Sequence, residues 1–186
     1  FGRGCLLAGA CCLEGEEERS GGCGCEQRVR HSQLVPRFCQ GLACLAARDD
    51  VEILYPVHLN PNVQAAAQKI LAGHGNVHLI PPQEYRTFVY LMTRSHIIVT
   101  DSGGVQEEAP SLGKPVLVTR DTTERPEAVK AGTVELVGTD TDLLVDRVTS
   151  LLDDPGMYER MSRAINPYGD GQACARIVES FLNASV

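Results

Sequence analysis

From residue 38 onward, short runs rich in Val, Ile and Leu alternate with stretches whose apolar residues recur at helical spacing. Residues 51–57, VEILYPV, predict a buried strand stopped near Pro56. Asn60 and Pro61 then supply an N-cap and a first helical position, and the helix they open closes at Gly73. The alternation continues with strands at 77–80, 96–100, 115–118 and 134–137. Helices are expected at 38–48, 85–94, 105–112, 126–130 and 142–152, and two more near 156–164 and 172–183. Five hydrophobic strands separated by helices predict a parallel sheet covered on both faces, an α/β doubly wound fold.

Sheets of this kind bind ligands beyond the carboxyl ends of their strands. The loop TDSGGVQEE, residues 100–108, follows one strand and opens a helix. Gly103 and Gly104 let a ligand approach the backbone, and the free N–H groups of a helix start favour an anion such as phosphate. Ser102 adds a hydroxyl donor. Glu108, expected on the first helical turn, is either a ribose-hydroxyl acceptor or simply a carboxylate favoured by the helix dipole. One strand over, Arg120, Asp121, Glu124, Arg125 and Glu127 crowd a single loop. Arg125 is either a bidentate clamp on phosphate oxygens or a partner in ion pairs within that loop.

Charge narrows the choice of partner. With 17 basic and 24 acidic residues in 186, the formal net charge is −7, which argues against nucleic acid as a partner. No apolar run approaches the roughly 18 residues that span a bilayer, so no membrane partner is expected.

Residues 1–37 stand apart. Seven of the eight cysteines fall in residues 1–44, and residues 4–37 show neither helical nor alternating periodicity among their Gly, Cys and Glu. Cys11, Cys12, Cys23, Cys25 and His31 suggest a metal or disulfide knot, but the cysteine pairs sit closer than the usual spacing of zinc ligands. The segment is expected to be aberrant or disordered, with residues 38–186 forming the folded domain.

The segments YPVHLNPNV, PPQEY, TDSGGVQEEAPSLGKPVLVTRDTTERPEAVKAGTVELVGTD and NPYGDGQA support an identification. Through them, residues 38–183 resemble the carboxy-terminal half of the non-hydrolysing UDP-N-acetylglucosamine 2-epimerases. The resemblance implies a UDP-binding Rossmann-like half of a two-domain glycosyltransferase-B architecture. It implies that Ser102, Gly103 and Gly104 form a diphosphate-binding turn and that Glu108 is the ribose ligand. Gln83 and Phe88 would lie beside the uracil, Arg125 would line the UDP-sugar site, and His58 would belong to an allosteric UDP-sugar site. The family interconverts UDP-GlcNAc and UDP-ManNAc by eliminating and re-adding UDP, with no metal or redox cofactor. The resemblance further implies a cytoplasmic protein that is a homodimer at full length.

Two departures qualify this. No residue of the chain matches the family's amino-terminal domain, where the catalytic carboxylates lie, so no catalytic residue is assigned. Phe1-Gly2-Arg3-Gly4 looks like the turn after a strand ending in His-Arg-Arg-Glu. That placement puts the strand upstream of Phe1, interrupts the turn with about 33 foreign residues, and leaves the sheet with an unpaired edge. The chain alone is therefore expected to be inactive. The alternatives are half of a UDP-sugar glycosyltransferase, a hydrolysing relative, or a non-catalytic nucleotide-sugar-binding fragment.

Overall fold

The computed structural model describes residues 4–9, 24–169 and 171–183, with backbone alone for 24–33. Six strands form one sheet: β1 (Cys5–Gly9), β2 (Glu52–Pro56), β3 (Val77–Ile80), β4 (Ile97–Thr100), β5 (Val116–Val118) and β6 (Val134–Leu136). Every pairing is parallel, and the spatial order is β3-β2-β1-β4-β5-β6. The expected α/β doubly wound fold is present, and all five expected strands agree to within a residue at each end.

One expectation is corrected. The central place between β2 and β4 is filled by Cys5–Gly9, from the segment set aside as foreign to the fold. These residues carry no alternation to detect because both faces of the strand are covered. Leu6 and Ala8 enter one core and Leu7 the other, all at 2% exposure or less. Gly4 accepts from the amide of Glu52 at 3.1 Å as the strand begins. A Cβ on Gly4 would stand 2.0 Å from the Asp50 carbonyl oxygen, so only glycine fits there.

The helix expected from residue 38 is longer. As α1 it runs Gly24–Leu45, continuous across residue 37 and with Pro36 inside it. Val35, Phe38, Cys39, Leu42 and Leu45 anchor its second half in the core. Burial pushes the Cys39 thiol up to about 12, so it packs there as a small apolar group. Cys11, Cys12 and Cys23 lie outside the described residues, as do the side chains of Cys25 and His31. Among the described residues no three His, Cys, Asp or Glu side chains gather as a metal site, and Cys5, Cys39, Cys44 and Cys174 are unbridged.

The remaining helices are α2 (Pro61–Leu71), α3 (Tyr85–Arg94), α4 (Gly103–Glu108), α5 (Pro126–Ala131), α6 (Thr141–Asp153), α7 (Pro155–Ser162) and α8 (Ala173–Asn183). A 3₁₀ turn, Ala109–Leu112, follows α4 and closes at Gly113 in the left-handed region (φ 65°). Helices α1, α2, α6 and α7 cover one face of the sheet, over Leu6, Ile53, Tyr55, Ile97 and Leu117. Helices α3, α4 and α5 cover the other, over Leu7, Ile98, Val116 and Val118. No described helix is long and apolar enough to cross a membrane.

Candidate functional site

The strand order reverses between β1 and β4, because β2 and β3 extend the sheet one way from β1 while β5 and β6 extend it the other. Helices leave opposite faces at such a switch point, so a crevice opens beyond the strand ends. Gly9 pairs with Thr100 at those ends. A cavity of about 350 Å³ lies above them, floored by Gly9, Pro56 and Thr100.

Three segments wall it. The β2–α2 turn contributes His58, the β3–α3 connection contributes Pro82, Gln83, Tyr85 and Phe88, and the start of α4 contributes Ser102, Gly104, Val105 and Glu108. Of the eight residues selected from the sequence, His58, Gln83, Phe88, Ser102, Gly104 and Glu108 therefore share one cavity, with Gly103 adjoining it in the chain. His58, assigned by resemblance to a second site, lines this same space.

The turn into α4 offers unengaged backbone. The Ser102 amide donates to Thr100 Oγ1 at 3.0 Å, and the first intrahelical bond is Gln106 N–H to Ser102 O at 3.4 Å. The amides of Gly103, Gly104 and Val105 lie before that bond and have no acceptor within the helix. Packing does not explain the glycines here. A Cβ on Gly9 or Gly103 would meet nothing within 4 Å, and one on Gly104 would meet only Ser102 Oγ at 4.0 Å. None of the three has positive φ. What glycine supplies at these positions is open space over the backbone, which is what a close-lying anion needs.

Hydrogen bonds orient several of the side chains around the cavity. Asn60 donates its amide to His58 Nδ1 at 3.2 Å, which leaves Nε2 as the protonated nitrogen of the neutral ring. Gln83 donates through Nε2 to the Pro81 carbonyl at 2.6 Å, leaving its Oε1 as an acceptor. Phe88 packs on the core beside Leu7, Met92 and Ile98 while also facing the cavity, so it is both core wall and flat apolar shelf. Glu108 is the last residue of α4 rather than part of its first turn, because the helix begins at Gly103 instead of Val105. Its Oε2 accepts from the Tyr85 hydroxyl at 3.1 Å, and this bond and the carboxylate charge raise the Tyr85 phenol above its ordinary range. Tyr85 stood in the PPQEY motif, but its partner lies 23 residues further on, beyond any local pattern.

Arg125 is placed elsewhere. It lies at the start of α5 and does not line the cavity; its Nε donates to Glu107, and Glu124 is nearby at 3.6 Å. The bond to Glu107 is the main cause that holds the guanidinium above its ordinary range. Gln106, 1% exposed, anchors the same loop by accepting from Thr123 Oγ1 at 2.6 Å, and Thr123 Oγ1 accepts from the Arg125 amide at 3.0 Å. Asn166 of the NPYGDG segment donates to Ser111 Oγ at 2.6 Å and to the Glu107 carbonyl at 3.2 Å. Two sequence-specific loops thus converge on α4 and its 3₁₀ extension, and they brace the helix that forms the cavity wall.

The sequence profile of the family described as UDP-N-acetylglucosamine 2-epimerase matches residues 26–182. The chain is 62% identical over 147 residues to the UDP-N-acetylglucosamine 2-epimerase of Escherichia coli K12, covering 78% of this chain and 39% of that protein. The crystal structure of the UDP-GlcNAc 2-epimerase from Neisseria meningitidis bound to UDP-GlcNAc superposes with a TM-score of 0.80 at 46% identity, covering 97% of this chain and 45% of that one. A Staphylococcus aureus protein solved with UDP gives 0.80 at 38% identity, covering 97% and 46%. The chain spans about two fifths of the length of the curated relatives it matches.

Proposed function

The chain belongs to the UDP-N-acetylglucosamine 2-epimerase family, and from that premise we propose that it is the UDP-binding half of an enzyme that interconverts UDP-GlcNAc and UDP-ManNAc. The observation that carries this reading is the gathering of Gln83, Phe88, Ser102, Gly104 and Glu108 around one cavity at the switch point of the sheet. The α4 amides and the Ser102 hydroxyl receive the diphosphate, Glu108 accepts from the ribose, and Gln83 and Phe88 flank the uracil. His58 reaches the same ligand through its Nε2–H. The relatives solved with UDP-GlcNAc and with UDP support this choice of ligand.

The reaction removes and replaces a proton at C2 of the sugar and lets UDP depart and return. Departure builds negative charge on the diphosphate, and preorganised amide donors at a helix start stabilise that charge without reorganising. Arg125 contributes there once it exchanges Glu107 for phosphate oxygens. The proton transfers need acid and base groups near the sugar carbon. We assign these to the part of the longer relatives that this chain does not match, so these 186 residues bind UDP without turning over UDP-GlcNAc. A homodimer in the cytoplasm is part of the proposal for the longer protein, on the family resemblance alone.

Calorimetric titration of the full chain with UDP tests the reading. We expect saturable binding, weakened about tenfold to a hundredfold by Glu108→Ala, the range for hydrogen bonds to a charged acceptor. UDP-GlcNAc incubated with the chain is expected to yield no UDP-ManNAc. Absence of UDP binding, or binding indifferent to Glu108, would overturn the ligand assignment, and UDP-ManNAc above a protein-free control would overturn the division of labour.

A further inference from the structure

The geometry points to Tyr85 as the positioning residue that holds Glu108 in the orientation that accepts the ribose hydroxyls, and so sets the preference for a ribonucleotide. This rests on the nucleotide reading above and extends it to a residue that reading leaves unassigned. Tyr85 opens α3 and Glu108 ends α4, and both line the cavity from opposite sides of the β4 connection. The phenol donates one hydrogen bond, to Oε2, at 3.1 Å. A carboxylate offers about four acceptor positions, so one neutral donor fixes the group and leaves Oε1 and a further lone pair for two vicinal hydroxyls.

Glu107 shows what another kind of partner does. It sits one residue earlier on the same helix and is held by the Arg125 guanidinium, a cation that neutralises it. A phenol leaves the charge of Glu108 intact, and hydrogen bonds to a charged acceptor are the stronger ones. A tyrosine phenol is protonated, and therefore a donor, at neutral pH, and Glu108 moves this one further in the same direction. The fold does not require this side chain for packing, since Tyr85 is 67% exposed. Removing its hydroxyl should spare the structure and act on Glu108 alone.

The test is Tyr85→Phe in the full chain, with UDP and 2′,3′-dideoxy-UDP titrated into it and into the wild type. We expect the wild type to prefer UDP. In the variant that preference shrinks about threefold to tenfold, while dideoxy affinity and thermal midpoint stay unchanged. Equal losses for both nucleotides would mean that Tyr85 only shapes the wall, and would overturn the assignment. An unchanged preference would overturn it too, as would tighter UDP binding, which would make the phenol a competitor of the ribose. Glu108→Gln separates the two levels: if it keeps the wild-type preference while UDP still binds, Glu108 is not the ribose acceptor and the role of Tyr85 falls. A wild-type chain that binds neither nucleotide overturns the reading beneath, and this assignment with it.

Discussion

Glu107 and Glu108 are adjacent on one short helix but belong to regions of opposite character. Glu108 faces a cavity of about 350 Å³ whose glycines have open space above them, and its carboxylate accepts from a phenol. Glu107 faces the loop after β5, where Arg125, Thr123, buried Gln106 and Asn166 bond to one another or to α4. The first region is concave and chemically unspent; in the second the polar groups already satisfy each other. The lesson is that a dense run of charges marks a braced loop as readily as a ligand site, and that open backbone discriminates better between the two.

Removing the floor of the cavity is the most severe way to break this contrast. Gly4→Val would drive β1 from its place against the Asp50 carbonyl, and Gly9 would no longer close the cavity. Loss of saturable UDP binding and a lowered thermal midpoint are expected together. A variant with wild-type affinity would show that β1 is not part of the site.

Arg125→Ala should have a smaller effect. The guanidinium must give up Glu107 before it meets a diphosphate, and that exchange subtracts from what it can contribute. UDP affinity is expected to fall about twofold to fivefold, less than for Glu108→Ala, with uridine affinity unchanged. A loss larger than that of Glu108→Ala would reverse the ranking of the two regions.

Thr123→Val should act least on binding. It removes the hydroxyl that links Gln106 to the Arg125 amide and leaves the Gln106 oxygen buried without this donor. The expected cost is about 1–3 kcal/mol of stability in chemical denaturation, the range for an unsatisfied buried polar group. UDP affinity should change less than twofold. An unchanged denaturation midpoint would mean that the loop is not braced through Gln106.

Most of the architecture was legible because strands such as 97–100 and helices such as 61–71 carry a clear period, an N-cap or a closing glycine. The TDSGG turn was legible for the same reason, since it stands between a strand and a helix. Cys5–Gly9 was not: five small and apolar residues among glycines and cysteines offer no period, and only the partners on both sides define the strand. The helical position of Glu108 was misjudged because Gly103 and Gly104, poor helix formers, nevertheless start α4. The pairings Tyr85–Glu108 and Arg125–Glu107 join residues 23 and 18 positions apart, and no local signal encodes them.

The most direct test follows backbone amide resonances of the ¹⁵N-labelled chain as UDP is added. Saturable shifts are expected to concentrate at Gly9, at residues 83–88 and at residues 102–108, with smaller shifts in the 120–125 loop. Largest shifts in that loop, or no saturable shift anywhere, would contradict this expectation.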